Sequence, residues 1–115
     1  MRESDRLVHE FFAAVTAGDL PDDMLTSDMT GWITTGGTMD KQSYQGVIRL
    51  LAQMCATPIA FTIDSITAED DRAVAEAHSE CVLVNGEPYN NTYVYVFRFS
   101  EGRMIDESVA AAVAH

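Results

Sequence analysis

Residues 72–99 read RAVAEAHSECVLVNGEPYNNTYVYVFRF. Two long runs of β-branched, aromatic and small residues flank Asn85-Gly86. That dipeptide is the strongest short hairpin signal, because both central residues of a tight two-residue turn need positive φ. The stretch therefore predicts two antiparallel strands, Arg72 to Val84 and Glu87 to Phe99. With a two-residue loop, Val84 pairs with Glu87 and the rest of the register follows by counting. Glu80 then faces Asn91, His78 faces Tyr93 and Glu76 faces Tyr95. Val82 and Tyr89, and Val74 and Phe97, complete the same side, since strand side chains alternate. The other side holds Ala73, Ala75, Ala77, Ser79, Cys81 and Leu83 opposite Asn90, Thr92, Val94, Val96 and Arg98.

Working outward, the hydrophobic period changes from about 3.6 before Ile59 to 2 after it. Ser4 is the expected cap of a first helix running to Ala17, with Leu7, Val8, Phe11, Phe12 and Val15 as its apolar stripe and Gly18 as its stop. Asp19 is placed to cap a short second helix that tolerates Pro21 in its first turn. Met29 to Thr35 reads as a strand, broken by Gly36-Gly37. Asp40 caps a third helix from Lys41 to about Cys55, burying Tyr44, Val47, Ile48, Leu51, Met54 and Cys55, and Pro58 stops it. Ile59 onward, with Phe61 and Ile63 alternating against Thr62 and Asp64, is another strand. Ser100-Glu101-Gly102 turns the chain into a last strand from Arg103 to about Val109, and Ala110 to His115 is a small tail expected to fray. Three helices with an early strand, then a four-stranded meander, predict an α+β fold with helices on one face of a curved antiparallel sheet.

At 115 residues and 47% apolar content, the chain fits one domain, residues 1–115, with a single core. Its formal charge of −11 repels phosphate backbones and anionic bilayers, so nucleic acid and membrane are excluded as expected partners and a neutral or cationic ligand is favoured. Met1-Arg2-Glu3-Ser4-Asp5-Arg6 lacks the apolar core of a signal peptide, which makes a cytoplasmic location the expectation. Cys55 and Cys81 lie in different elements and outside any CxxC pair, and read as two ordinary buried thiols. His9, His78 and His115 fall on separate elements, and no metal-ligand spacing, phosphate loop or nucleophilic triad is visible; neither a metal nor a cofactor is expected.

Two readings of the hairpin compete. In one, the smooth alanine face is the core and the Glu/His/Tyr face meets water. In the other, the Glu/His/Tyr face lines a pocket beneath the helices and the smooth face packs on a second subunit; Tyr93, Tyr95, Phe97, Val74 and Val82 would otherwise make a large exposed apolar patch.

Several local patterns bear on that choice: Phe11-Phe12 followed by Ala17-Gly18-Asp19-Leu20; Asp28-Met29-Thr30 leading to Trp32; the helix beginning near Asp40-Lys41; Val74-Ala75-Glu76-Ala77; residues 85–93; Phe97-Arg98-Phe99; and Gly102-Arg103-Met104-Ile105. Together they resemble the nuclear transport factor 2-like superfamily, and within it the SnoaL-like and ketosteroid-isomerase-like proteins. The resemblance implies a cystatin-like cone: a curved sheet on three helices of the N-terminal half, a deep pocket on its concave face, and a homodimer through its convex face. It implies that Glu76, His78, Glu80, Asn91, Tyr93 and Tyr95 line the pocket and that Glu107 points inward. Trp32, Tyr89 and Phe11 join them as ligand-binding candidates.

Departures narrow the activity. Ketosteroid isomerases carry a tyrosine where this chain has Phe11, a general-base aspartate where it has Ile33 or Thr34, and a protonated aspartate where it has Tyr95. SnoaL-like chains often end in an acid-aromatic-acid pattern; here the last strand reads Ser108-Val109-Ala110-Ala111. What remains is cofactor-free proton transfer, namely isomerisation, cyclisation or dehydration of a small apolar carbonyl compound. His78 with Glu76 or Glu80 is the expected acid/base group, and Tyr95 or Tyr93 the hydrogen-bond donor to a developing oxyanion. The competing expectation is a non-catalytic ligand-binding or dimerisation module.

Overall fold

The computed structural model describes residues 2–113, and side chains as far as residue 110. Helix α1 spans Glu3–Ala17; a single 3-10 turn, Asp22–Met24, leads to strand β1 (Leu25–Ile33) and its short partner β2 (Gly37–Asp40). Helix α2 (Lys41–Met54) is followed by β3 (Ala60–Ala68), β4 (Arg72–Val82), β5 (Pro88–Ser100) and β6 (Arg103–Val113). The six strands form one sheet in the order β2-β1-β6-β5-β4-β3. The helices lie on its inner face, α1 across β3 and β4 and α2 across β1. The α+β class stands, with three differences from the sequence reading. The second helix shrinks to the 3-10 turn, β1 runs parallel to β6 rather than antiparallel, and β2 is an additional strand. The last strand also extends through Val113 by pairing with the start of β5, where Val113 faces Asn91. Of the expected frayed tail, only Ala114 and His115 lie outside the described residues.

Local chemistry accounts for the helix ends. Asp40 Oδ1 accepts the Ser43 amide at 2.9 Å, the expected cap of α2. Helix α1 instead begins one residue before Ser4, which is buried, its hydroxyl donating to the Glu69 carbonyl. The stripe Leu7, Val8, Phe11, Phe12 and Val15 is buried as its spacing requires.

The hairpin register departs from the counting argument, and the reason is one residue of turn. The hairpin closes at Leu83 and Glu87 around three residues, Val84-Asn85-Gly86: the Leu83 amide donates to the Glu87 carbonyl and the Gly86 amide to the Leu83 carbonyl, each at 2.8 Å. Gly86 alone has positive φ, at 90°, so the turn is of type I followed by a left-handed glycine, the usual three-residue solution. Asn85 turns its side chain to accept the Glu87 amide at 2.9 Å. Val82 therefore pairs with Pro88, Ser79 with Asn91, Ala77 with Tyr93 and Ala75 with Tyr95. A one-residue slip turns the whole of β4 over. Ala73, Ala75, Ala77, Ser79 and Cys81 face the helices, and Glu76, His78 and Glu80 face away.

Packing explains why this register wins. Tyr93, Tyr95, Phe97 and Phe99 form a ladder of rings along β5, with successive centroids 5.3, 5.6 and 6.0 Å apart. Phe11 and Phe12 from α1 meet the ladder edge-on, Phe11 to Phe97 at 5.1 Å and Phe12 to Tyr95 at 5.0 Å. Small residues on the neighbouring strand leave room for those rings and let α1 approach. Glutamates in the same places would be buried beneath α1 at high desolvation cost.

Candidate functional site

A cavity of about 300 Å³ opens between α2, the end of β1 and the inner face of β5 and β6. Tyr89, Asn91, Tyr93 and Tyr95 line one wall; Val47, Ile48, Leu51 and Met54 from α2 form the other. The wall from β5 follows from alternation, because odd-numbered residues of that strand point inward.

Two polar residues of the lining, Asn91 and Tyr93, are hydrogen-bonded together and to Ser79. Asn91 Nδ2 donates to Tyr93 Oη at 3.0 Å, and Tyr93 Oη lies 2.7 Å from Ser79 Oγ. Asn91 Oδ1 is buried without a hydrogen-bond partner. Whichever way the amide is turned, one of its polar atoms is unspent.

Behind the lining lies Glu107, fully buried at 0% exposure. It sits between Gly31 on β1 and Phe97 on β5 in the sheet register. Neither carboxyl oxygen has a partner at hydrogen-bonding geometry. The Tyr44 phenol is close enough to favour the charged carboxylate, yet burial dominates and, with Asp106 adding repulsion, lifts the group to about 8. At neutral pH Glu107 is thus mainly a neutral acid with a proton to donate. Burial, then the neighbouring Glu107, holds Tyr44 and Tyr95 well above the ordinary phenol range. Burial raises Tyr93 as well, against the lowering hydrogen bonds from Ser79 and Asn91.

Gly31 makes this arrangement possible. A Cβ there would lie 2.8 Å from Tyr44 Cδ1, so only glycine lets the Tyr44 ring settle over β1 next to Glu107. Tyr44 is 2% exposed yet still borders the cavity, and its phenol neighbours Glu107.

The residues expected from the sequence divide by face. Tyr89, Asn91, Tyr93 and Tyr95 line the cavity, and Glu107 is inward as expected. Phe11 packs on Phe97 and Tyr95 in the core rather than on the cavity. Trp32 is 40% exposed, because Met29, Gly31 and Ile33 take the inward parity of β1. Glu76, His78 and Glu80 lie on the outer face, so the structure does not bring them to the tyrosines. There His78 Nδ1 pairs with Asp64 Oδ2 at 2.9 Å, and Glu76 accepts from Ser65 Oγ at 2.8 Å. Asp64 reaches His78 from a bulge between Ile63 and Ser65. The sequence reading placed Tyr44 on the buried side of its helix but gave it no part in the site; its importance depends on Gly31, in a different element.

Among the described residues no group of three or more His, Cys, Asp or Glu is placed to hold a metal ion. No described helix is long and apolar enough to cross a membrane.

Known structures share the architecture. An NTF2-like protein from Anabaena variabilis superposes with a TM-score of 0.78 at 22% identity, covering 98% of this chain and 90% of that one. Wild-type IdmH from Streptomyces antibioticus, a candidate polyketide cyclase, gives 0.81 at 15% identity, covering 96% and 92%. A candidate isomerase from Bacillus subtilis gives 0.81 at 15% identity, covering 97% and 90%. No curated protein matches the chain at significant similarity. The sequence itself matches the SnoaL-like domain over residues 8–107. With that match across most of its length, the chain belongs to the SnoaL-like domain family, and its sheet-and-helix architecture is the fold of the NTF2-like structure from Anabaena variabilis.

Proposed function

We propose that the chain binds a small, uncharged, largely apolar carbonyl compound and activates its carbonyl oxygen by hydrogen-bond donation from Tyr44, with Glu107 as the neutral acid behind the phenol. The observation that carries this reading is a fully buried carboxyl with both oxygens unpaired, next to a tyrosine that borders an apolar cavity. Orphaned buried carboxyls are costly and concentrate where a task requires them. As negative charge grows on the substrate oxygen, the phenol donates to it and the Glu107 proton supports the phenol oxygen. Donors of this kind are typically worth about 10²–10³ in rate. Asn91, with its spare acceptor Oδ1, orients a substrate hydroxyl.

Among the described residues, no Asp, Glu or His borders the cavity. That favours reactions of a substrate with its own acidic C–H, such as aldol-type cyclisation of a β-dicarbonyl, in which water takes the C–H proton and the new alkoxide is protonated to the alcohol, over isomerisations that need a strong protein base. The IdmH and Bacillus subtilis neighbours are candidates for one chemistry each and support the class rather than the choice. The test uses a neutral methyl ester with two further carbonyls positioned for aldol closure. Tyr44→Phe and Glu107→Gln are expected to slow cyclisation about 10²-fold or more, while His78→Ala leaves it unchanged. Loss of turnover in His78→Ala with full activity in Glu107→Gln would refute the assignment.

A second reading rests on one observation: Glu107 does not itself border the cavity. If the ester binds without turnover, the pocket is a non-catalytic binding module. For either reading we propose a homodimer through the outer face, supported by Val82 and Val94, 43% and 45% exposed on adjacent strands. Sedimentation at micromolar concentration tests it, and a strict monomer refutes it.

A further inference from the structure

Beyond the pocket, the two cysteines present an unexpected geometry. Cys55 Sγ and Cys81 Sγ lie 2.9 Å apart, although 26 positions separate them in the chain. The approach is built by backbone: Cys55 forms an antiparallel bridge with Leu83, the Ala56 amide donates to the Val82 carbonyl at 2.7 Å, and the Val84 amide to the Met54 carbonyl at 2.9 Å. Cys81 stands two residues from Leu83 on the same face of its strand, a diagonal neighbour within side-chain reach of Cys55.

We propose that Cys55 and Cys81 are an oxidative modification site, a dithiol that closes into a disulfide and fastens the C-terminal end of α2 to β4 at the rim of the cavity. A disulfide bond is about 2.0 Å long, so the sulfurs need to close by only about 0.9 Å. The two sulfurs have no third metal-binding side chain gathered with them among the described residues, which favours a covalent bond over zinc. The rim is where the link acts, since Met54 precedes Cys55 and Tyr89 pairs with Cys81, and both line the cavity.

The co-reactant is hydrogen peroxide. Cys55 is half-buried and Cys81 buried, so peroxide meets Cys55 first. The Cys55 sulfur attacks the peroxide, the O–O bond breaks, and sulfenic acid and water form. Cys81 sulfur then attacks the sulfenic sulfur, the S–S bond forms, the S–O bond breaks, and the departing hydroxide takes the thiol proton as a second water. The sulfurs lose two electrons and the peroxide gains them. Burial, with the adjacent Cys55 thiol, pushes Cys81 up to about 12, which disfavours it as the first sulfur to attack peroxide.

The test treats the reduced full chain with hydrogen peroxide, alkylates remaining thiols in denaturant, and measures intact mass and a peptide map. The expected product has lost two hydrogens, takes up no alkylating agent, contains a Cys55–Cys81 cross-link, and melts several degrees higher until dithiothreitol reverses the change. Cys81→Ser should instead accumulate a dimedone-reactive sulfenic acid on Cys55. Oxygen adducts without a cross-link, cross-links only between chains, or two fully alkylatable thiols at doses that oxidise the methionines would each overturn the proposal.

Discussion

The two faces of the β4–β5 hairpin share one backbone and opposite fates. Inward, Ala75 and Phe97 are both 0% exposed and carry the contacts that hold α1 to the sheet. Outward, one residue away in each case, Glu76 and Arg98 are exposed, and His78 meets Asp64 at the surface. The inner face gains stability from ring packing and bears the cost of one buried carboxyl. The outer face carries ion pairs in water, where such pairs add little. Candidate chemistry therefore follows burial: the isolated carboxyl behind the tyrosines has a displaced proton affinity, whereas the outward histidine has only a surface partner.

Substitutions on the two faces should differ steeply in effect. Phe97→Ala removes the ring at the centre of the ladder and should cost about 3–5 kcal/mol, read from chemical denaturation. A cost below about 1 kcal/mol would mean that β5 does not face the helices as described. Glu107→Gln should change the pH dependence of stability. A carboxyl raised from 4.5 to about 8 in the folded state favours folding only while protonated. Wild-type stability is thus greatest at low pH with respect to this group and falls on the order of a few kcal/mol as pH rises from about 5 to 9. The Gln variant should lose that slope and melt higher than wild type at pH 9. Gly31→Ala forces a methyl against the Tyr44 ring and should cost about 1–3 kcal/mol by denaturation. On the outer face, His78→Ala should cost less than about 1 kcal/mol, since His78 and Asp64 side chains are 39% and 50% exposed. A larger loss there would erase the contrast between the faces.

What could be read from the chain, and what could not, follows the range of each interaction. The α1 stripe and the Asp40 cap depend on neighbours within a turn or two, and periodicity exposes them; alternation puts the β5 tyrosines on one face, and the family resemblance, not periodicity, implies that this face is inward. The orientation of β4 depends on whether Asn85-Gly86 closes a loop of two residues or of three, and the dipeptide suits both. The deciding signal was steric: alanines at 73, 75 and 77 are the natural neighbours for rings at 97, 95 and 93. The inward Glu107 was reached through family resemblance, whereas its pairing with Tyr44 depends on Gly31, an absent side chain in a third element. The short strand β2 is four residues long and left no periodic trace. The cysteine contact joins two elements that no local pattern connects.

The central claim is that Glu107, buried behind a tyrosine-lined cavity, holds its proton at neutral pH. Carbon-detected NMR of protein labelled with 13C at the glutamate side-chain carboxyls, titrated from pH 4 to 10 and assigned by loss of one signal in Glu107→Gln, measures this directly. The account predicts one carboxyl titrating near pH 8, apart from the rest. A Glu107 signal titrating below about pH 5 with the ordinary carboxyls would contradict it.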